Sequence, residues 1–126
     1  MDEELKKWIE KADNDFNSAF LNMKGRLFEI SCFHSQQCVE KYLKAFLIYK
    51  NVEPPKTHDI AKLIKICISV DKNFEVLKGR EIEMLTMYAV ELRYPDFPCK
   101  VDENEAKDAI YKAKFVKEFV MKKIEG

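Results

Sequence analysis

Apolar residues recur every three or four positions along most of this chain, a pattern that predicts helices. The first such segment carries Leu5, Trp8, Ile9, Ala12, Phe16, Ala19, Phe20 and Met23. Asp2 is the candidate N-cap of this helix and Gly25 is its expected C-terminal stop. No segment alternates between apolar and polar residues for long enough to indicate a strand.

Two further helices are predicted before the middle of the chain. The second runs from about Leu27 to Tyr49 and ends before Pro54 and Pro55. Thr57 is the candidate N-cap of the third helix. The inward face of that helix is formed by Ile60, Leu63, Ile64, Cys67 and Ile68.

The rest of the chain predicts a short helical turn and two more helices. The turn is expected over residues 71–78, before Gly79. A fourth helix is expected from about Arg80 to Tyr94, because Pro95 disfavours helical backbone at the residue before it. After a loop over residues 95–101, Asp102 and Glu105 give the start of the last helix, with the spacing of a capping box. Its inward face is formed by Ala106, Ala109, Ile110, Ala113, Val116, Val120 and Ile124.

These elements predict one all-α domain over residues 1–126. The expected architecture is an antiparallel up-and-down bundle of four main helices plus a shorter helix. Short connections place consecutive helices side by side in opposite directions, which makes this arrangement the simplest one.

Composition narrows the expected partners and location. The chain has 22 basic and 22 acidic residues and no net charge. This balance argues against binding driven by phosphate neutralisation, so RNA is not a favoured partner. No apolar run approaches the roughly 20 residues that span a membrane, and the charged N-terminus does not resemble a signal peptide. We therefore expect a cytoplasmic protein.

The sequence does not predict a metal site. Its four cysteines are Cys32, Cys38, Cys67 and Cys99. They show no Cys-x-x-Cys spacing, and we interpret them as small buried hydrophobic residues. His34 and Cys38 are four residues apart and could contact one metal ion together with His58 or Cys99, but the spacing of zinc motifs is absent.

The predicted second helix carries polar side chains among many apolar ones. Gln36, Glu40 and Lys44 share one stripe at a spacing of four, and Gln37 and Lys41 share the next. Pairs of this kind are common on solvated helix faces. Because apolar residues lie on several sides of this helix, a polar patch at a groove or a dimer interface is the other interpretation. Both stay open at the level of sequence.

Three residues after the second helix, His58, Arg93 and Tyr94, are candidates for binding a phosphate or a base. His58 follows the presumed N-cap, so it either bonds or packs against the adjacent loop, or joins free helix N–H groups in binding a phosphate. Arg93 either caps a helix end or pairs with a carboxylate, or it holds a phosphate while Tyr94 stacks on a base. Arg93, Arg26 and Arg80 are the three arginines, and the planar guanidinium suits carboxylates and phosphates. No glycine-rich phosphate loop or hydrolase motif occurs, so no catalytic residue is assigned.

Taken together, these pieces resemble the HEPN domain, named for higher eukaryotes and prokaryotes nucleotide-binding. The likeness lies in Trp8, Ala12 and Asp15, in the run Cys-Phe-His-Ser-Gln-Gln-Cys-Val-Glu-Lys-Tyr-Leu-Lys-Ala-Phe-Leu that begins at Cys32, in Thr57-His-Asp-Ile, and in Leu92-Arg-Tyr-Pro. The resemblance implies a bundle of mainly antiparallel helices that is commonly a homodimer. It also implies a minimal nucleotidyltransferase as partner, encoded separately or fused, and a nucleotide such as ATP as ligand.

The chain departs from one motif of that family. Many members are ribonucleases or toxins that use an Arg-x4–6-His motif completed across a dimer. Here no histidine follows His58, and seven residues separate Arg26 from His34. A ribonuclease of the motif-bearing kind is therefore not favoured.

The leading hypothesis is a non-catalytic module that dimerises, works with a nucleotidyltransferase partner and binds a nucleotide. The residues assigned to the nucleotide are His58, Arg93, Tyr94 and Lys44. Those assigned to the same groove or to an interface are Gln36, Gln37, Glu40 and Lys41. The alternative is a ribonuclease toxin of a toxin–antitoxin pair, with a degenerate site of His34 or His58 and Arg26 or Arg93. A third hypothesis is a purely structural partner whose second helix forms an obligate interface.

Overall fold

A computed structural model describes residues 1–90, 94–95 and 100–126, and within these ranges the chain forms helices and no strand. The predicted all-α fold is confirmed. The α-helices are α1 (Glu3–Lys24), α2 (Phe28–Tyr49), α3 (Ile60–Val70), α4 (Thr86–Val90) and α5 (Glu103–Glu125). Two 3-10 helices, Lys72–Arg80 and Ile82–Leu85, lie between α3 and α4. None of the described helices is long and apolar enough to cross a membrane.

Aspartate side chains cap the N-termini of α1, α3 and α5. Asp2 accepts a hydrogen bond from the Leu5 N–H at 2.8 Å, and Asp102 accepts one from the Glu105 N–H at 2.9 Å. Both caps agree with the sequence prediction, since a carboxylate satisfies an N–H group that the helix leaves free.

The predicted cap of α3 was wrong. Asp59, rather than Thr57, is the N-cap, and its carboxylate accepts from the Lys62 N–H at 3.2 Å. Thr57 instead accepts a hydrogen bond from the Asp59 N–H at 3.1 Å, which forms a local turn just before the helix. The helix thus starts two residues later than the sequence pattern indicated.

The segment before α4 also differs from its prediction. The expected turn over residues 71–78 is a 3-10 helix of nine residues, whose buried Phe74 and Leu77 share its three-residue repeat. The predicted fourth helix does not begin as an α-helix, because Glu81 adopts left-handed backbone with φ 58°. A second 3-10 helix follows, and α4 starts only at Thr86. Residues 91–93 of the predicted helix lie outside the described residues.

The helix α2 lies at the centre of the bundle and packs against both other long helices. The helix α1 is antiparallel to α2, as predicted. The helix α5 runs in the same direction as α2, because Glu103 at its start pairs with Arg26 at 3.3 Å, while Lys117 and Tyr42 both reach Asp13. The chain returns across the bundle through α3 and the 3-10 helices before α5 begins.

Aromatic rings form part of the core between these layers. The ring of Phe46 on α2 lies 4.3 Å from that of Phe74, and Phe74 lies 4.9 Å from Phe119 on α5. Phe46 and Phe74 have no exposed surface. Contacts of this kind join the central helix to the 3-10 segment and to α5, so this end of the bundle depends on them.

The described cysteines agree with their interpretation as buried hydrophobic residues. Cys32, Cys38 and Cys67 are fully buried free thiols. Burial raises the pKa of the Cys67 thiol to about 12, so it stays protonated and unreactive near neutral pH. Cys99 lies outside the described residues.

Candidate functional site

The polar stripe of α2 is buried inside the chain. Gln36, Glu40 and Lys44 are 0%, 5% and 7% exposed. The interpretation of these three residues as a solvated face is therefore wrong. Buried polar groups require hydrogen-bond partners, and Glu40 supplies them at the centre of the stripe.

Glu40 binds three partners through its two carboxylate oxygens. Gln36 Nε2 donates to Oε1 at 3.1 Å, and Lys44 Nζ donates to Oε2 at 2.9 Å. His58 Nδ1 lies 2.8 Å from Oε1. Burial raises the pKa of Glu40, but the hydrogen bonds from His58, Lys44 and Gln36 outweigh it, and the pKa lies below its ordinary value. The group is therefore a carboxylate at neutral pH.

The ionised state of Glu40 fixes the orientation of His58. A carboxylate only accepts hydrogen bonds, so Nδ1 of His58 must be the donor. This leaves Nε2 as the ring nitrogen available to a ligand, on a side chain that is 58% exposed. The His58 side chain therefore hydrogen-bonds to Glu40 of α2, and not to the adjacent loop.

A second carboxylate on α1 organises the neighbouring part of α2. Asp15 is buried, and its Oδ1 lies 2.8 Å from Nδ1 of His34. Its other oxygen accepts a hydrogen bond from Nζ of Lys41. Each of the two histidines of the chain is thus bound through Nδ1 to a carboxylate that is almost fully buried.

The α2 partners of Asp15 lie on the stripe next to that of Glu40. A pair of glutamines, Gln36 and Gln37, extends the hydrogen bonds of Glu40 toward the residues bound to Asp15. Gln37 Nε2 donates to Gln36 Oε1 at 2.7 Å, and Gln36 in turn donates to Glu40. Gln37 lies between His34 and Lys41 on the surface of α2, at spacings of three and four residues. We call the whole set the polar network, and its residues are Asp15, His34, Gln36, Gln37, Glu40, Lys41, Lys44 and His58.

The carboxylates of the polar network lie beneath its more exposed nitrogen-bearing side chains. The carboxylate-bearing side chains of Glu40 and Asp15 are only 6% and 11% exposed. Lys41 and His34 are 24% and 27% exposed, and His58 is more exposed still. A ligand that approaches this surface therefore meets the Lys41 ammonium and the two imidazoles before it meets the carboxylate oxygens, and the ammonium suits ligands that present hydrogen-bond acceptors.

The spacing along α2 disfavours a catalytic histidine pair. His34 and Glu40, which holds His58, are separated by six positions of the helix, or about 9 Å along its axis. Two imidazoles that act on one reacting atom must both come within hydrogen-bond reach of it. The positions on α2 that hold the two histidines are thus offset along the helix axis, which suits an extended ligand.

Comparison with known proteins identifies the family. A model of the HEPN domain matches residues 5–124, nearly the whole chain. The chain belongs to the HEPN family. Its fold is also similar to the crystal structure of an archaeal HEPN homologue, with a TM-score of 0.71 and 26% sequence identity over 95% of this chain and 97% of the other. No curated protein matches the sequence significantly.

The structure brings together most of the residues that the sequence analysis assigned to a nucleotide or an interface. Gln36, Gln37, Glu40, Lys44 and His58 lie together in the polar network, and Lys41 joins it through Asp15. Tyr94 is 62% exposed. Arg93 lies outside the described residues.

Sequence reasoning missed the role that Asp15 plays in this HEPN domain. It had appeared only as part of the family pattern, and His34 only as a metal or ribonuclease candidate. A signal was present, because Asp15 falls between Ala12 and Ala19 on the apolar stripe of the first helix. A charged residue on a buried face needs a partner of opposite charge, which points to a basic residue on the facing helix.

Acid is expected to destabilise this HEPN domain through Glu40. Its pKa is lower in the folded than in the unfolded state, so its stabilising contribution is complete above the ordinary value of 4.5 and is lost as the pH falls through the folded pKa. Urea midpoints measured at pH 5, 4 and 3 should fall more steeply for the parent than for Glu40→Gln. Parallel curves for the two proteins would contradict this assignment.

Proposed function

We propose that this HEPN protein is a non-catalytic module that binds a nucleotide at the polar network. The observation that supports the proposal is the row of nitrogen-bearing side chains of His34, Lys41 and His58, each held by a buried carboxylate, with the Lys41 ammonium as a charged donor. Phosphate oxygens are acceptors, and charge-assisted N–H···O bonds to them are among the stronger hydrogen bonds in proteins.

The buried acids contribute by holding the donors in place before a ligand arrives. A free lysine or histidine loses side-chain freedom when it binds, at a cost of about 0.5–1.5 kcal/mol for each side chain. Lys41 and His58 are already restrained by Asp15 and Glu40, so less of this cost remains.

The rest of the proposal extends the family resemblance. We assign Arg93 to the phosphate chain and Tyr94 to the base, since guanidinium groups bind phosphate and tyrosine rings stack on bases. We further propose that the protein is a homodimer that works with a minimal nucleotidyltransferase. In this account any nucleotidyl transfer is carried out by the partner.

Calorimetry with ATP tests the nucleotide proposal. Lys41→Ala is expected to weaken ATP binding about tenfold, which corresponds to the loss of one charge-assisted hydrogen bond of about 1.5 kcal/mol. His58→Ala is also expected to weaken ATP binding. Lys11→Ala is the matched control, because Lys11 is an exposed lysine of α1 outside the polar network. Circular dichroism checks that each variant is folded, and light scattering of the same samples gives the oligomeric mass.

Two outcomes would contradict the proposal. The first is a parent protein that binds no ATP at millimolar concentration. The second is a pair of folded variants that bind ATP as tightly as the Lys11→Ala control, which would place the nucleotide elsewhere on the chain.

A further inference from the structure

Arg80 is a cationic residue that lies outside the polar network. It ends the first 3-10 helix, and its guanidinium carbon lies 3.7 Å from the centroid of the Phe115 ring on α5. Arg26, by contrast, pairs with Glu103 at 3.3 Å. No carboxylate among the described residues lies within ion-pair distance of Arg80. Contact with the ring through the guanidinium carbon leaves N–H donors of the planar fork for a ligand.

A cleft of about 280 Å³ lies beside this stacked pair, between the 3-10 helices and α5. Lys112 lies on its α5 side and is held by Asp108 at 2.9 Å, with a side chain that is only 11% exposed. Glu81 lies on the opposite side, where its left-handed backbone separates the two 3-10 helices. Non-glycine residues seldom adopt this backbone conformation, and such residues are common at binding sites.

The charges and size of the cleft restrict what it can bind. Arg80 and Lys112 are balanced by Glu81 and Asp108, so the cleft has no net charge, and a ligand with a single negative charge can pair with Arg80. The volume is near the lower end of ligand pockets, which span about 300–1,000 Å³. A ligand of one ring fits this size.

Tyr111 supplies a surface for such a ring. It lies one helical turn before Phe115 on α5, lines the cleft together with Lys112, and is 64% exposed. An exposed tyrosine beside an arginine is a combination enriched at recognition sites, because the ring offers apolar contact and the arginine offers a bidentate donor pair.

We propose that this cleft binds a small carboxylate attached to a flat ring. The carboxylate accepts two hydrogen bonds from the edge of Arg80, and the ring packs on Tyr111. No residue that lines this cleft belongs to the polar network, so binding at the two places can be measured independently.

Titration of the labelled protein by NMR tests the proposal with three simple probes. Benzoate carries both the ring and the carboxylate, acetate carries only the carboxylate, and benzyl alcohol carries only the ring. Saturable shifts at residues 80, 111 and 115 are expected with benzoate at a concentration at least tenfold lower than with either fragment. Absence of saturation with benzoate, or equal responses to all three probes, would overturn the proposal.

Matched arginine variants assign the carboxylate partner. Arg80→Lys keeps the charge but loses the planar fork, so benzoate binding is expected to weaken about tenfold. Arg26→Lys changes an exposed arginine outside the cleft and should leave the affinity unchanged. Tyr111→Leu tests the ring separately and should also weaken binding. Unchanged affinity in both Arg80→Lys and Tyr111→Leu would place benzoate outside this cleft, whatever the result with ATP.

Discussion

Replacing Glu40 with alanine is expected to destabilise the fold by about 3–5 kcal/mol, the effect of removing one member of a buried ion pair. Lys44 remains in the variant with a side chain that is only 9% exposed. Its charge then has no carboxylate beside it, and His58 and Gln36 each lose an acceptor. Urea unfolding at pH 7 measures the change.

A double variant separates the uncompensated charge from the loss of packing. Glu40→Leu combined with Lys44→Met replaces the pair by apolar side chains of similar volume, which is often neutral or stabilising for buried pairs. We expect the double variant to be far more stable than Glu40→Ala. Glu10→Ala, on the exposed side of α1, should change stability by less than about 0.5 kcal/mol. A Glu40→Ala protein as stable as the Glu10→Ala control would contradict the ion-pair account.

Phe46→Ala is expected to cost about 3–5 kcal/mol, as large-to-small changes of buried aromatic residues do. Phe46 has no exposed surface, and its ring contacts that of Phe74 at a centroid distance of 4.3 Å. The cavity left by the ring lies between α2 and the first 3-10 helix, where Phe74 and Phe119 hold the layers together. Thermal and urea unfolding both report the loss.

The control for this prediction lies on the same helix. Tyr49 is 40% exposed, so Tyr49→Ala removes an aromatic ring without opening a closed cavity. Phe46→Leu should retain more stability than Phe46→Ala, since the cost of such changes grows with the volume of the cavity. Equal losses in Phe46→Ala and Tyr49→Ala would show that the aromatic cluster is not a core element.

The parts of the fold that depend on local sequence were predicted well. The N-caps of α1 and α5, Asp2 and Asp102, were predictable because a carboxylate three residues before a free N–H group is a local signal. The start of α3 was predicted two residues early, since both Thr57 and Asp59 can cap a helix and only the turn between them decides. The break at Glu81 has no local signal, because a glutamate in left-handed backbone is held there by its surroundings.

Only part of the candidate site could be predicted from the sequence, because its tertiary contacts leave no local signal. The spacing of Gln36, Glu40 and Lys44 predicts that they share a stripe, and this is local information. Their burial, and the contact of His58 with Glu40, depend on how α3 and its preceding loop pack on α2. Asp15 and His34 come from different helices, so their pairing required the direction and register of α1 against α2.

An NMR titration of the isotope-labelled protein with ATP tests the central claim most directly. Binding at the polar network predicts saturable shifts clustered at His34, Lys41 and His58, while the resonances of Arg80 and Tyr111 stay in place. No saturable shift at millimolar ATP, or shifts confined to residues outside the polar network, would contradict the claim that this HEPN domain binds a nucleotide there.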